Sequence, residues 1–400
     1  MNIGPVMPLT GLELLAAEVG VHILDLSALT EIQCGWTACA ILARRPKSIN
    51  GLVSRRQPSY LCCVASRYGS NPCLDEALRC VAMRAKRVLT SSTQSFDKLE
   101  SLHYGAALQS LQKAVDDTDE RNKPEVLGAI NLLSLFELLQ YTHAQAWSLH
   151  IAGASRLIRA RGPTSFVSDF DIGLMLSMTT AITHECLRSN EPCYLEEDSW
   201  QHTFQGFIIK SNSISSRSPL AISLLCIMVK LPRLVRDVYS VVRRPESSKR
   251  RDIAQLRKRL REYRGDLLRW HTEYDSTTLT MPIQDGIQAP SEDVRSELLG
   301  TCYGLIVTCS RLISAITVEL LDFLEDEAVA YSIQMVKLES DISSVNKWAS
   351  FYICQKIVVA RATLATTNAW RESSDRCNDI IGGDKFGYWV STILLKQPSF

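Results

Sequence analysis

The sequence has little net charge and no long hydrophobic run. Lys and Arg number 44 and Asp and Glu number 43, so the 400-residue chain has a net charge of +1. Because no global field then attracts nucleic acid or an anionic membrane, any such contact needs a local patch. The longest uncharged apolar run, Leu220 to Val229, is about half of the ~20 residues that a membrane span requires. We expect no membrane partner.

The N-terminal residues lack basic side chains. The first Lys or Arg is Arg44, so the sequence indicates neither a secretion signal with a basic start nor an Arg-rich transit peptide. A chain of this length buries enough surface to fold without disulfides. We therefore expect the 13 cysteines to be free thiols in the reducing nucleus or cytoplasm.

The sequence also lacks any Cys-x-x-Cys pair, the spacing that structural zinc sites commonly use. The six N-terminal cysteines are Cys34, Cys39, Cys62, Cys63, Cys73 and Cys80. Adjacent Cys62 and Cys63 fit a zinc cluster badly, and few basic residues lie among the six. Buried or free thiols are the favoured interpretation, with an unconventional metal site as the alternative. We expect no cofactor and no stoichiometric zinc.

Catalytic motifs are missing as well. The sequence contains no phosphate loop, no Gly-x-Gly-x-x-Gly and no Gly-x-Ser-x-Gly. His184-Glu185 begins like a zinc-protease helix motif, but Arg188 occupies the position of the second histidine. We assign no catalytic residue, and we expect His150 to have a hydrogen-bonded structural role.

Helical periodicity dominates from about residue 74, and two-residue alternation is almost absent. The clearest helix begins at Pro124, a residue that helices tolerate in their first turn, and Glu125 suits the positive helix start. The next helix ends in residues 159–163, where basic side chains, a glycine and a proline are typical of a C-terminus. This pattern predicts a helical hairpin with Gly162 in the left-handed conformation.

Further apolar periods predict the remaining helices. These are Leu74–Leu89, Leu99–Val115, Phe170–Arg188, Ala221–Val242, Ile253–Tyr274, Val294–Leu324 and Tyr331–Trp370. Residues 212–219, 243–251 and 276–290 have the composition of exposed connections. We therefore expect an all-α fold, either a multi-helix bundle or a helical-repeat-like array. Residues 1–60 form an N-terminal segment and residues 61–400 the helical domain.

Three runs carry a family resemblance: Tyr104–Gln112, Glu125–Leu138 and His150–Pro163. With Cys193-Tyr194-Leu195 and Trp200, they resemble the fungal-specific transcription factor domain, the regulatory domain of zinc-cluster transcription factors. Up to about residue 210 the order of features matches, and beyond it only the helical character does. The resemblance implies transcription regulation of a fungal pathway or gene cluster in the nucleus.

In that family a separate zinc cluster binds DNA, and this sequence has no match to it. The resemblance then implies action through other regulatory proteins or a small-molecule effector, with weak or no direct DNA binding. One alternative is that the gene continues upstream of Met1. Another is an enzyme or small-molecule-binding protein of a biosynthetic pathway built on this domain, because fold does not determine function. A cavity lined by polar side chains such as His184, Glu185 and Tyr194 would favour it.

The most basic stretch, Arg243 to Arg264, contains ten Lys or Arg and three acidic residues. We interpret part of it as a candidate nuclear-import or phosphate-binding patch. The patch consists of Arg243, Arg244, Lys249, Arg250, Arg251, Arg257, Lys258 and Arg259.

The second half of this stretch begins an apolar seam of alternating three- and four-residue spacing. It consists of Ile253, Leu256, Leu260, Tyr263, Leu267, Trp270 and Tyr274. We favour a helix packed inside its own domain, since bulky aromatics suit an irregular groove better than a dimeric zipper. A dimer seam and a direct DNA contact are the alternatives.

Overall fold

The computed structural model describes the chain between residues 22 and 393 with gaps. The described residues are 22–31, 59–89, 98–140, 142, 145–210, 214–247, 249–280, 292–345, 353–372, 374–377 and 379–393. They form helices and connections, with one isolated β-bridge between Cys377 and Ile380. The predicted all-α class is confirmed. The chain divides into two compact units, Met1–Ala181 and Ile182–Phe400.

The first unit begins with short helical segments and continues with longer helices. The short segments are Ile23–Leu26, Ser27–Glu31, Leu61–Val64 and Ala65–Arg67. The longer helices are α1 (Pro72–Leu89), α2 (Lys98–Asp116), α3 (Pro124–Gln140), α4 (Ala146–Arg161) and α5 (Asp169–Ser189). Helix α1 packs against α2 and α3, and α3 packs against α4. The last turns of α5 belong to the second unit.

Helix α3 is buried on all sides, from Val126 to Leu139. Its sequence is apolar all round, which is typical of a helix surrounded by protein. The polar side chain of Asn131 is accommodated by hydrogen bonds. Its Nδ2 donates to the Leu127 carbonyl at 3.0 Å, and its Oδ1 accepts from the Ser177 hydroxyl at 2.9 Å.

Helix α4 ends at Arg161, as the sequence predicts. Gly162 has φ 77° and ψ 164°. The positive φ is confirmed, but ψ is wrong for the left-handed helical conformation that we expected. The pair of angles falls in a region that is essentially restricted to glycine. Pro163 then begins the 3₁₀ segment Pro163–Ser165, so α4 does not continue past this point.

The second unit contains the last turns of α5 and the remaining helices. These are α6 (Asp198–Gly206), α7 (Pro219–Met228), α8 (Leu231–Arg243), α9 (Arg250–Thr280), α10 (Glu292–Ala315), α11 (Leu321–Val345), α12 (Cys354–Arg371) and α13 (Gly383–Ile393). Helix α10 packs against α9, α11 and α12. The stretch Val294–Ala315 is long and apolar enough to cross a membrane, but 89% of its apolar window is buried inside the protein. That burial is typical of a core helix.

Several helix boundaries differ from the prediction. The segment predicted as one helix, Ala221–Val242, is broken between α7 and α8. Pro232 lies in the first turn of α8, where its missing N–H cannot continue the hydrogen-bond ladder of α7. The predicted boundary between Leu324 and Tyr331 is also wrong, since α11 runs from Leu321 through both positions. The predicted Tyr331–Trp370 helix is likewise divided between α11 and α12.

The end of α10 is determined by partners distant in sequence. Arg257 donates its Nε to the carbonyl of Ile316 at 2.7 Å, and the backbone N–H of Ile381 donates to the carbonyl of Ala315 at 2.8 Å. These hydrogen bonds satisfy carbonyls that have no donor within the helix because the helix ends there. The apolar sequence after Ala315 contains no glycine or proline signal, so periodicity alone could not locate the end.

The apolar seam of α9 packs inside the second unit, which confirms the favoured prediction. Leu260 and Leu267 are fully buried, and Trp270 and Tyr274 are nearly so. The indole Nε1 of Trp270 donates to the carbonyl of Leu220 at 2.8 Å. Helix α9 therefore packs its coiled-coil-like face against the core of its own unit.

A buried ion pair links the helices around α10. The side chains of Arg311 and Glu325 are both fully buried and hydrogen-bonded to each other. Arg311 also donates to the carbonyl of Thr363 at 3.0 Å, and its guanidinium carbon lies 4.4 Å from the centre of the Trp370 ring. Because breaking such a pair leaves an uncompensated buried charge, we expect removal of either partner alone to destabilise the packing of α10 against α11 and α12.

Candidate functional site

A cavity of about 70 Å³ lies in the second unit, among the end of α5, the α7–α8 junction, α10 and α12. We call it the His184 cavity. Its aliphatic walls are Leu187, Met228, Leu231, Leu305 and Val359. Its polar lining is Thr183, His184, Thr301, Thr308 and Lys356, and Gly304 completes it. A largely apolar concave site with a few polar groups is typical of small-molecule binding.

Helical spacing brings the lining residues of α10 together. Thr301, Gly304 and Thr308 are three and four residues apart, so they follow one face of that helix. A Cβ atom at position 304 would lie 3.4 Å from Cβ and Cγ of Lys356 and 3.7 Å from Cε of Met335. A methyl group would thus be in ordinary contact with the Lys356 stem, which means that α12 packs directly against α10 here and brings Lys356 to the cavity.

Among the polar side chains of the cavity, His184 is the one with a buried hydrogen-bonding atom that has no partner among the described residues. The residue is partly exposed, but its Nδ1 is buried and has no hydrogen-bond partner in the part of the chain that the structure describes. Burial and, to a smaller extent, the positive charge of Lys356 together lower the pKa of His184 to about 3. The imidazole is consequently neutral near physiological pH and can donate or accept at Nδ1, depending on its tautomer.

The threonines of α10 present oxygen lone pairs. The Thr301 hydroxyl donates to the carbonyl of Glu297 at 2.8 Å, and the Thr308 hydroxyl donates to the carbonyl of Gly304 at 2.8 Å. Each hydroxyl proton is thus committed within the helix, while the oxygen can still accept. Together with the Lys356 ammonium and the His184 ring, the cavity offers both donors and acceptors.

Of the three polar residues that sequence reasoning associated with a cavity, only His184 lines this one. Glu185 is hydrogen-bonded to Arg188 on the same helix, with 2.9 Å between its Oε2 and the arginine Nε. The Tyr194 ring packs edge-on against Trp200 at a centroid distance of 5.4 Å. Sequence reasoning missed the threonines and Lys356. The spacing of Thr301, Gly304 and Thr308 was a signal, but nothing local connects it to Lys356.

The basic residues predicted as an import or phosphate-binding patch do not form a uniform surface. Those at the end of α8 and the start of α9 are exposed, namely Arg243, Arg244, Lys249, Arg250 and Arg251. Lys258 is also exposed and lies 3.9 Å from Glu262.

Arg257 and Arg259 have structural partners instead. Besides its bond to Ile316, Arg257 lies 3.7 Å from Asp379. Arg259 lies 2.9 Å from Asp237 on α8. These two arginines hold α9 against its neighbours, so the exposed residues around the α8–α9 connection carry what remains of the predicted patch.

The cysteines show no arrangement for a metal in the described regions. No group of three or more His, Cys, Asp or Glu side chains there could hold an ion. Cys34 and Cys39 lie outside the described residues. Cys73 and Cys80 are buried in α1, and burial raises the pKa of both thiols, so they are protonated near neutral pH. Each cysteine whose side chain the structure describes is a free thiol.

A smaller cavity of about 40 Å³ lies in the first unit, against α3, α4 and α5. Three of its polar residues are already paired: the Ser177 hydroxyl donates to the Asn131 side chain, and the Ser134 hydroxyl donates to the Asn131 carbonyl at 2.8 Å. It offers a ligand less room than the His184 cavity does.

Three rings from separate helices meet in the first unit. The Tyr104 ring of α2 stacks on the Phe136 ring of α3, with centroids 4.7 Å apart. The Tyr104 hydroxyl lies 3.0 Å from Nε2 of His150 on α4. The predicted hydrogen bonding of His150 is confirmed. One residue from each of the three runs that carry the family resemblance contributes to this contact.

A family model described as the fungal specific transcription factor domain matches residues 69–349, more than two thirds of the chain. The chain belongs to this family. In this fungal transcription factor domain, the match includes the part of the His184 cavity contributed by α5, α7, α8 and α10. Lys356 and Val359 lie beyond the matched residues.

One curated relative is an uncharacterized protein of Emericella nidulans, which is 28% identical over 131 residues. That match covers 33% of this chain and 28% of the relative. The matched part of the chain thus spans under a third of the relative's length. No solved structure matches the chain.

Proposed function

We propose that this protein is a transcription regulator of a fungal pathway or gene cluster, and that it works in the nucleus. Membership of the fungal-specific transcription factor domain family is the observation that carries the proposal. Regulation runs through contacts with other regulatory proteins and through a small-molecule effector bound in the second unit. The protein makes weak or no direct contact with DNA, has no membrane partner and works without a dimer seam on α9.

The His184 cavity supports the effector part of this proposal. It combines aliphatic walls with a small number of converging polar groups, and the buried Nδ1 of His184 has no hydrogen-bond partner among the described residues. A concave site with this combination of walls and polar groups is typical of small-molecule binding.

The same cavity also supports a second candidate function, that of an enzyme or small-molecule-binding protein of a biosynthetic pathway. Its chemistry favours binding over catalysis. A general base works best when its pKa lies near the working pH, and the pKa of His184 is about 3. A neutral imidazole of such low basicity is a hydrogen-bonding group more than a proton acceptor.

Transcript profiling tests the regulatory proposal. Deleting the gene in the fungus that encodes it should change the transcripts of a defined set of pathway genes together, and reintroducing the gene should restore them. Loss of one metabolite with unchanged transcripts would favour the enzyme instead. A fluorescent fusion should accumulate in the nucleus, and Gln substitutions at Lys249, Arg250 and Arg251 should reduce that accumulation if the patch directs import.

A further inference from the structure

We propose that Cys186 and Cys193 are an oxidation site, at which a peroxide converts the two thiols into an intramolecular disulfide. Both residues belong to the second unit, and no other cysteine lies between them in the sequence. Formation of this bond needs no ligand in the His184 cavity, and it does not depend on what the protein regulates.

The turn that ends α5 brings the two cysteines together. Asn190, directly after the helix, has a φ of 58°, in the left-handed region that asparagine adopts more readily than most residues. Its N–H donates to the carbonyl of Leu187 at 3.2 Å, and the N–H of Glu191 donates to the carbonyl of Cys186 at 2.9 Å. These two bonds form a Schellman motif, which stops the helix and redirects the chain, so that Cys193 returns to the helix end.

The two thiols are hydrogen-bonded to each other. The Cys193 thiol donates to the sulfur of Cys186, and its own sulfur accepts from the hydroxyl of Thr183 and from the N–H of Leu195. Two sulfur atoms in such contact need only a small movement to form a bond of about 2 Å. The surrounding backbone already holds the pair in place.

The two thiols differ in exposure and in reactivity. Cys186 is partly exposed, whereas Cys193 is fully buried. The hydrogen bond from Cys193 lowers the pKa of Cys186 and outweighs the opposing effects of burial and of the nearby carboxylates, Glu185 among them. The same bond and burial raise the pKa of Cys193. Because the thiolate is the nucleophile, we assign the first oxidation to Cys186 and the second step to Cys193.

The reaction balances with one molecule of hydrogen peroxide. The Cys186 thiolate attacks one peroxide oxygen, the O–O bond breaks, and the departing hydroxide takes up a proton to become water, which leaves a sulfenic acid on Cys186. The Cys193 sulfur then loses its proton and attacks the Cys186 sulfur. The S–S bond forms as the S–O bond breaks, and the hydroxide leaves with that proton as a second water. Two electrons pass from the sulfurs to the peroxide oxygens, and thiol exchange reverses the change.

The disulfide would lie beside the His184 cavity. Thr183, His184 and Leu187, on the last turns of α5, line that cavity. The bond would join this wall covalently to the 3₁₀ segment Tyr194–Glu196, which begins directly after Cys193. Intracellular disulfides of this kind are usually transient and sense the redox state.

Peptide mapping of the purified full chain tests the proposal. The protein is treated with hydrogen peroxide, its remaining thiols are alkylated in denaturant, and its peptides are analysed by mass spectrometry without reduction. We expect a linked pair of peptides that contain Cys186 and Cys193, lighter than the two reduced peptides by two hydrogen atoms. Dithiothreitol should restore both thiols.

Cys302 and Cys309 supply an internal control. They are also seven residues apart in the second unit, but they lie on one helix, where a rise of ~1.5 Å per residue separates them by about 10 Å. Their thiols donate to the carbonyls of Leu267 and Leu260, at 3.9 and 3.4 Å. Burial raises the pKa of both, so both should stay reduced at a peroxide dose that links Cys186 to Cys193.

Single variants separate the two roles. Cys193→Ser removes the thiol of the second step, so the sulfenic acid on Cys186 should persist and be trapped by dimedone. Cys186→Ser should leave Cys193 reduced, because that thiol is buried and protonated. Cys377→Ser is the matched control: it removes an exposed thiol of the same unit and should form the disulfide as the wild type does.

Three results would overturn the proposal. They are a disulfide that joins Cys186 to a different cysteine, a lasting sulfenic acid on Cys186 of the wild type while Cys193 stays reduced, and an unoxidised pair at a peroxide dose that oxidises the exposed Cys62 and Cys377. Each of these results concerns a bond in the purified protein. The transcript response to gene deletion, which tests the regulatory function, is therefore a separate outcome.

Discussion

Gly162, directly after α4, has backbone angles that a residue with a Cβ atom rarely adopts. Its φ of 77° and ψ of 164° lie in a region nearly exclusive to glycine. Gly162→Ala should therefore lower the free energy of unfolding by about 1–3 kcal/mol. Thermal and urea unfolding followed by circular dichroism would measure the loss.

Gly153, inside the same helix, supplies the control. A Cβ atom there would meet nothing within 4 Å, and the residue has no positive φ. Gly153→Ala should stabilise the protein by up to ~1 kcal/mol through helix propensity. If Gly162→Ala melted at the wild-type temperature, the chain would have to turn differently after Arg161.

His184 gives a pH-dependent prediction. The pKa of this histidine is about 3 in the folded protein and 6.5 in a free side chain. Between these values the unfolded chain binds a proton that the folded chain does not bind, so the free energy of unfolding falls as the pH drops below about 6.5. The loss from this residue is roughly 2 kcal/mol at a pH of about 5.

His184→Gln removes this titration. Urea unfolding of wild type and variant at neutral and mildly acidic pH should show that the wild type loses more stability on acidification. Because other groups titrate in both proteins, the difference between the two losses isolates His184. Equal losses would mean that the ring titrates normally in the folded protein.

Among the helices, α9 has an apolar seam whose spacing fits packing within one chain as well as a dimeric zipper. Its seam residue Leu260 is fully buried in the second unit. Leu260→Ala should leave a cavity and lower the stability of the single chain by about 2–5 kcal/mol. Urea unfolding would measure this change, and analytical ultracentrifugation would show whether association changes as well.

Glu262, exposed on the same helix, is the matched control position. Glu262→Ala should change stability by no more than about 0.5 kcal/mol, as exposed substitutions usually do. A wild-type dimer that Leu260→Ala converts into stable monomers would instead support the zipper interpretation of the seam.

For the whole molecule, near-zero net charge leaves little affinity for DNA. The net charge is +1, and the exposed basic residues around Lys249 are the local exception. Fluorescence anisotropy should show weak binding to duplex DNA, without sequence preference, that fades between about 50 and 200 mM salt. Gln at Lys249, Arg250 and Arg251 should lower the salt slope by up to ~1 per lost phosphate contact.

A second charge-removing variant makes this test specific. Lys113, Arg121 and Lys123 are exposed in the first unit, so their replacement by Gln removes the same charge elsewhere. That control should leave the salt slope unchanged. A protein that protected one defined DNA sequence at physiological salt would contradict the prediction.

Much of the fold could be predicted from the sequence because helices depend on local patterns. Periodicity located α1 to α5 within a few residues, and the signals at Pro124 and Gly162 identified a helix start and a helix end. The prediction was wrong where local signals were weak. The end of α10 depends on Arg257 and Ile381, whose contacts with it are long-range.

The candidate site was only partly predictable. His184 was singled out, but alongside Glu185 and Tyr194, which have other partners. Two of the eight residues of the basic patch raised a similar problem: Arg257 and Arg259 bind partners on neighbouring segments, and composition cannot distinguish such residues from solvated ones. A charged or polar residue shows its role only when its neighbours in space are known.

Short contiguous patterns were sufficient to identify the all-α class and the family, because a helix and a family segment such as His150–Pro163 lie within one stretch of chain. The His184 cavity depends instead on packing. His184, Gly304 and Lys356 come from three helices, and each has an unremarkable local sequence. They form a site because α12 packs against α10, a contact that only the folded chain creates.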